Sequence, residues 1–249
     1  MKRSIFYKYW ERTKWTGSRV NDLKDSAQIR GLPQPPLELE RDPSARVIDL
    51  PIPSDVEAPS IDLREAIENR RSIRDYSEEP LTLEELSWLL WCTQGVKEYT
   101  KARTLRTVPS GGARHPFETY LLVNRVEGLR PGLYRFLALD HKLAEHDLGE
   151  RLADKITEVC WGQPCIRRSA VTFIWTVVPY RSYWRYKERS FRNMLEAGHI
   201  CQNLYLSAEA VGCGVCAIGA FGDDTVNDIL GVDGVEQFVV YMATVGKKK

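Results

Sequence analysis

The chain changes character near Ser60, where hydrophobic positions begin to recur at regular spacing. Leu63, Ala66 and Ile67 share one face of a helix that should end near Arg70-Arg71. Thr82-Leu83-Glu84-Glu85 is a capping box, in which hydroxyl and carboxylate reciprocally satisfy free N–H groups at a helix start. Behind it Leu83, Leu86, Leu89 and Leu90 carry an apolar stripe, and Gly95 supplies a stop. Residues 117–123 read as a strand, 134–139 and 142–146 as a hairpin closed around Asp140-His141, and 171–178 as a buried strand. The longest helix is predicted over 192–211, with Met194, Ala197, Cys201, Leu204, Tyr205, Ala208 and Val211 at helical spacing. Gly212 closes it and a strand follows at 215–218. A short helix opening at Asp223 or Asp224 packs Val226, Ile229 and Leu230 and stops at Gly231; 237–245 is the last strand. There is no internal repeat. Hairpins mixed with long helices predict an α+β fold rather than a regular βαβ series.

Residues 1–59 differ. Tyr7, Tyr9, Trp10 and Trp15 cluster at the start, and Pro33, Pro35, Pro36, Pro43, Pro51, Pro53 and Pro59 follow. Proline fixes φ and removes a donor, so this stretch is expected to be an extended arm beside a domain at 60–249. A disordered leader is the alternative. Leu37, Leu39, Val47, Ile48, Leu50 and Ile52 favour an arm that wraps the domain.

Composition narrows the function classes. A 249-residue chain with 43% hydrophobic residues can bury one substantial core or two modest ones. Lysine and arginine total 35 against 34 acidic residues, without the basic excess that nucleic acid or an anionic membrane surface demands. No apolar run approaches the ~20 residues that span a bilayer. Met1-Lys2-Arg3-Ser4 is basic, but no apolar signal-peptide core follows. Six cysteines placed in predicted helices and strands suit reduced thiols, and a cytoplasmic location is expected.

Several segments could carry chemistry. Arg70, Arg71, Ser72 and Arg74 put three guanidinium forks and a hydroxyl just past a helix, a donor set for phosphate or simply a solvated helix end. Pro109-Ser110-Gly111-Gly112-Ala113-Arg114-His115-Pro116 precedes a strand; its glycines permit close approach to a ligand, or it is an ordinary turn. Ser110 and His115 form a weak nucleophile–base pair with no orienting acid. Ala197, Gly198 and Cys201 leave a helix face small enough for another helix or a flat ring. Cys213 and Cys216 form C-x-x-C, but in strand-like sequence; with Cys160 and Cys165 they could hold a metal, although buried thiols are the better reading and no metal is expected. Residues 180–192 interleave Tyr180, Tyr183, Trp184 and Tyr186 with arginines, suiting an active-site wall or a dimer rim.

Taken in order, these segments resemble the nitroreductase superfamily, and within it the SagB-type dehydrogenase branch. The matching residues are Arg70-Arg71-Ser72-Ile73-Arg74-Asp75-Tyr76, Pro80 to Leu86, Pro109 to Pro116, Gly128 to Tyr134, Leu195 to His199 with Gln202 to Leu206, and Ala217-Ile218-Gly219 with Val245-Gly246-Lys247. Tyr9, Arg12, Thr13 and Lys14 are similar to the short leader of that branch. The resemblance implies a central, mostly antiparallel sheet flanked by helices, in an intertwined homodimer with FMN at the subunit interface. It implies that Arg70, Arg71, Ser72 and Arg74 hold the phosphate and ribityl chain, and that Pro109, Ser110, Gly111 and Gly112 reach the flavin from the other subunit. Ile218 and Gly219 would lie along the isoalloxazine and Lys247 near the phosphate. The implied reaction is ping-pong, from NAD(P)H through flavin to a small organic acceptor, and it does not demand a protein acid or base. Arg185-Tyr186 stands where azoline-forming members pair lysine with tyrosine, which makes it the candidate catalytic pair. Arginine stays protonated and cannot be the base a neutral lysine would be, so nitro or quinone reduction is favoured over peptide azoline oxidation. A catalytically silent flavin-binding protein is a third reading.

Overall fold

The computed structural model describes residues 4–15, 17–57 and 60–249. Met1-Lys2-Arg3, Thr16, Ala58 and Pro59, and the basic start and last leader proline read from them, lie outside the described residues. The strands are β1 (Val47–Asp49), β2 (Val96–Thr100), β3 (Arg103–Arg106), β4 (Phe117–Val123), β5 (Gly132–Leu137), β6 (Lys142–Asp147), β7 (Val171–Val177), β8 (Cys213–Ile218) and β9 (Phe238–Lys247). The helices are α1 (Ile5–Thr13), α2 (Arg19–Leu23), α3 (Leu63–Asn69), α4 (Leu83–Gln94), α5 (Leu152–Val159), α6 (Cys165–Arg168), α7 (Tyr180–Tyr186), α8 (Glu196–Ala210) and α9 (Asp223–Leu230).

Seven strands form one antiparallel sheet in the order β1-β6-β5-β4-β7-β9-β8. Every residue of β4 and β7 is buried, because helices cover both faces and period-2 alternation sends neighbours to opposite cores. Leu121 and Val123 join Phe173 and Trp175 beneath Leu86, Leu89, Leu90, Leu204 and Ala208 of α4 and α8. Tyr120, Leu122, Ile174 and Met242 face the other way, against Leu152, Ile156, Ile166, Val226 and Leu230 of α5, α6 and α9. The architecture is the α+β sheet with flanking helices that the sequence predicts. The Thr82–Glu85 capping box forms reciprocally, and the hairpin closes at His141, at φ 52°.

Three readings change. The long helix opens at Glu196 instead of 192; residues 187–195 are 3₁₀ turns entered through Lys187 at φ 52°. The β2–β3 hairpin lies outside the main sheet and was not anticipated, since β2 is almost wholly exposed and carries no alternating apolar pattern. The leader is not extended throughout: α1 and α2 precede the prolines, and β1 adds an edge strand beside β6.

Buried charge ties the leader down. Glu118 on β4 accepts from the Arg181 guanidinium and, at 2.9 Å, from the Leu39 N–H; Arg135 stands 3.7 Å from its other oxygen. Arg135 also donates to the carbonyls of Leu39 and Glu40, Arg181 to Pro36, and the Trp184 indole to Leu32. Glu38 returns the contact by accepting from the N–H groups of Ala138 and Leu139. Backbone groups that proline-rich sequence cannot pair with itself thus find side-chain partners on the domain.

Candidate functional site

The arginine-rich segment after α3 lies across the β8–β9 ladder. Ser72 bridges to Val215, and the Ile73 N–H donates to the Val215 carbonyl at 2.9 Å. So close an approach requires Gly214 and its cross-strand partner Gly246: a Cβ on the first would stand 2.7 Å from Ile73, and on the second 2.7 Å from Tyr76. Tyr76 is buried there, its hydroxyl donating to the Ile73 carbonyl at 2.6 Å and meeting Thr244 Oγ1 at 2.7 Å.

This anchoring leaves Arg71, Ser72 and Arg74 exposed and Arg70 half-buried. The Arg70 guanidinium lies 5.3 Å above the Tyr205 ring. The Tyr205 hydroxyl stands 3.0 Å from Ser72 Oγ and accepts from the Ala217 N–H at 2.9 Å. Arg71 donates only to carbonyls, those of Glu68 and Arg70. Among the described residues no carboxylate pairs with Arg70, Arg71 or Arg74. The segment therefore presents uncompensated positive charge, with forked donors, to an anion.

Ile218 ends β8 opposite Met242, and Gly219 follows, where a Cβ would stand 3.7 Å from the Tyr241 ring, in ordinary contact. Lys247 faces Cys213 at the far end of this ladder, which spans about 17 Å at the usual strand rise. Lys247 is not a free cation: it donates to the Glu85 carboxylate of the capping box and, at 3.1 Å, to the Val211 carbonyl.

A second cluster forms around the glycine loop. The Gly111 N–H donates to Glu196 at 2.8 Å, and the Ser110 hydroxyl bonds the same carboxylate. Burial pushes Glu196 up to about 7 in spite of those two bonds. Gly112 sits at φ 62°, and a Cβ there would come within 2.4 Å of the Tyr186 hydroxyl and 3.2 Å of Arg185. The loop and the Arg185–Tyr186 pair thus face each other, with the Arg185 guanidinium 5.5 Å above the Tyr186 ring. Pro109 is exposed at the loop's entrance. Ser110 and His115 do not form a nucleophile–base pair. It is the His115 backbone N–H that meets Ser110 Oγ, at 2.9 Å, while burial and then the charge of Arg106 drive the imidazole down to about 3. Arg114 is also no free cation: buried, it braces the loop by donating to the carbonyls of Gly112 and Ala102.

The two clusters are joined by α8, which carries Glu196 and Tyr205 about 14 Å apart along its axis. Sequence reasoning assigned Tyr205 to the core stripe and missed its hydroxyl's two partners; a phenol in an otherwise aliphatic stripe was the available signal. It also passed over Glu196 as a loop anchor, although a carboxylate beside Ala197 and Ile200 on a buried face needs a partner. All six cysteines are free, and burial pushes Cys160, Cys201 and Cys213 to about 12, so they stay thiols. Among the described residues no group of His, Cys, Asp and Glu could hold a metal, and no helix is long and apolar enough to cross a membrane.

Comparison with known proteins identifies the class. The nitroreductase-like protein MJ1384 of Methanocaldococcus jannaschii is 33% identical over 189 residues, covering 76% of this chain and 92% of that one. The trifolitoxin-processing protein TfxB of Rhizobium leguminosarum is 32% identical over 147 residues, 57% of this chain and 39% of TfxB. The crystal structure of a nitroreductase-like protein from Anabaena variabilis superposes with a TM-score of 0.68 at 28% identity; the match covers 83% of this chain but spans only 42% of the other. The nitroreductase family model matches residues 67–247, from the end of α3 through Lys247. The chain therefore belongs to the nitroreductase family, whose chemistry is flavin-dependent oxidoreduction.

Proposed function

We propose that the protein binds FMN and catalyses ping-pong electron transfer from NAD(P)H to a small organic acceptor of the nitro or quinone type, as a homodimer with FMN at the subunit interface. The carrying observation is the donor set Arg70, Arg71, Ser72 and Arg74, whose arginines have no carboxylate partner among the described residues and which lies against the sheet over Gly214 and Gly246. Its chemistry fits a phosphate monoester and ribityl hydroxyls. Ile218 and Gly219, the glycine presenting no side chain at the end of β8, fit the flat ring, and Lys247 would approach the phosphate while sharing its charge with Glu85. When bound, the flavin supplies the hydride chemistry, and the protein supplies position and electrostatics.

Pro109, Ser110, Gly111 and Gly112 act on the ring from the partner chain in this proposal. Two features support that arrangement. Glu196 and Tyr205 hold the two clusters apart within one protomer, and Leu63, Ile67 and Leu195 stand 65%, 55% and 71% exposed, an apolar surface that a second copy would cover. Arg185 and Tyr186, packed on Gly112, border the acceptor position. Residues 1–59 serve as an arm strapped to the 60–249 domain through Glu118, Arg135 and Arg181. Arg70→Ala or Arg74→Ala should weaken FMN binding about tenfold in a fluorescence-quenching titration, for the loss of one charge-assisted contact. Unchanged affinity in both would remove the phosphate assignment.

TfxB, named for processing trifolitoxin, supports a second reading, a SagB-type dehydrogenase acting on azolines in a ribosomal peptide. Turnover of an azoline peptide, with no reduction of nitro or quinone acceptors, would favour it.

A further inference from the structure

We propose that the acceptor reduced at this site is a small aromatic carboxylate, whose anionic group is held by Arg185 beside the glycine loop. As a substrate assignment this rests on the flavin reaction proposed above, whereas the anion site stands on the arginines alone.

Residues 180–192 carry five cations, Arg181, Arg185, Lys187, Arg189 and Arg192, against one carboxylate, Glu188. Arg181 pairs with Glu118, and Arg189 with Asp22 and Glu188. Arg185 is half-buried, yet it has neither a carboxylate partner nor a hydrogen bond among the described residues. What it meets is another cation. Arg114 Nε donates to the Gly112 carbonyl at 3.1 Å, and Arg185 Nε lies 3.2 Å from where a Gly112 Cβ would stand, so two guanidiniums converge on one glycine. Burial first, and then the charge of Arg185, lowers Arg114 from its ordinary value. The carboxylate across the loop, Glu196, is taken up by Ser110 and the Gly111 N–H. Like charges gathered without a counter-ion favour a bound anion, and the planar fork of Arg185 matches a carboxylate.

The backbone is strained on both sides of the pair. Ala113 at φ 51°, His115 at φ 42° and Lys187 at φ 52° hold positive-φ conformations that glycine normally takes, and such residues gather at ligand clamps. Tyr186 supplies a wall for a ring: the Arg185 guanidinium lies 5.5 Å from its centroid, and with Trp15 it lines a cleft of 520 Å³ open to solvent.

The test uses 4-nitrobenzoate and its neutral isostere 4-nitrobenzamide with the purified full-length protein. Isothermal titration calorimetry should show the carboxylate bound at least tenfold tighter at about 50 mM salt, with the preference shrinking at about 500 mM. Arg185→Gln should cut the preference to about twofold, and Arg185→Lys, which keeps the charge without the fork, should keep part of it. In turnover each 4-nitrobenzoate takes two electrons and two protons, from one NAD(P)H and one solvent proton, and releases water as it becomes the nitroso compound. The ratio of kcat/KM for the two acceptors should fall in Arg185→Gln by the same factor as the binding preference, a comparison in which their intrinsic reducibility cancels. Equal or weaker binding of the carboxylate by wild type, which needs no variant to fold, would overturn the proposal. So would an Arg185→Gln protein that keeps the preference, loses both ligands equally, or weakens only NADH or NADPH, which would assign Arg185 to the reductant. A carboxylate preference without any turnover would remove the substrate role together with the redox reading, leaving a bare anion site; turnover of both acceptors without preference would remove the site and leave that reading intact.

Discussion

Glu196 connects the glycine loop to the start of α8, and its burial makes a prediction that separates geometry from charge. Its carboxyl titrates at about 7 in the fold against an ordinary value of 4.5, with burial the cause and the Gly111 and Ser110 bonds opposing it. Between those two values the folded state holds a proton that the unfolded chain has released. Stability from this group is therefore full below 4.5, falls as pH rises, and is lost above about 7. The shift corresponds to about 3 kcal/mol at most. Glu196→Gln keeps an acceptor for the Gly111 N–H but cannot ionise. The variant should match wild type near pH 4.5 and gain on it progressively, reaching a plateau of up to about 3 kcal/mol above pH 7. Urea unfolding of both proteins at pH 5, 6, 7 and 8, followed by tryptophan fluorescence, gives the difference curve. The difference is the proper readout, because His115 and His141 have depressed values and change stability in the opposite direction over pH 5–6.5. Glu38, also raised to about 7, is common to both proteins and cancels. A flat difference curve, or a glutamine variant that loses ground as pH rises, would show that the loop contacts outweigh burial and would refute the reasoning.

Other perturbations probe the scaffold and the anion site. Gly112→Ala meets both a positive φ and the Tyr186 hydroxyl, so it should cost about 1–3 kcal/mol in denaturant unfolding and displace the Arg185–Tyr186 pair; a neutral result would mean that this loop is not fixed. Arg181→Met strands Glu118 without its nearest cation and should cost about 3–5 kcal/mol. It should also speed tryptic cleavage at the exposed Arg41 and Arg46; wild-type protection would show that the leader is held by other contacts. Glu85→Gln frees Lys247 from its carboxylate and should tighten FMN binding severalfold, whereas equal or weaker binding would place Lys247 outside the phosphate site.

The readings that hold rest on patterns with a local physical cause. Thr82 and Glu85 satisfy each other's backbone, and β4 and β7 are rich in apolar residues on both faces because both faces of the sheet are covered. Gly231 stops α9 at φ 65°, a conformation other residues avoid. What was not legible depends on partners distant in sequence. Nothing near Leu39 announces that Glu118 will accept its N–H, so an arm rich in prolines does not reveal which carbonyls it will offer to Arg135 and Arg181. Gly214 and Gly246 look like ordinary strand glycines until Ile73 and Tyr76 are seen resting on them. The arginines of the candidate site were visible individually. Which ones keep their charge free was not, since Lys247 is paired with Glu85 and Arg114 is spent on bracing its own loop.

The central claim, an FMN site that does redox work, is tested most directly by anaerobic reduction of the purified protein. The account predicts a yellow protein binding one FMN per chain, whose flavin absorbance is bleached by NADH or NADPH and restored by a quinone or nitroaromatic acceptor. A yellow protein that neither nicotinamide bleaches would contradict the proposed reaction and leave a silent flavin binder. A colourless protein that cannot be reconstituted with FMN would contradict the site itself.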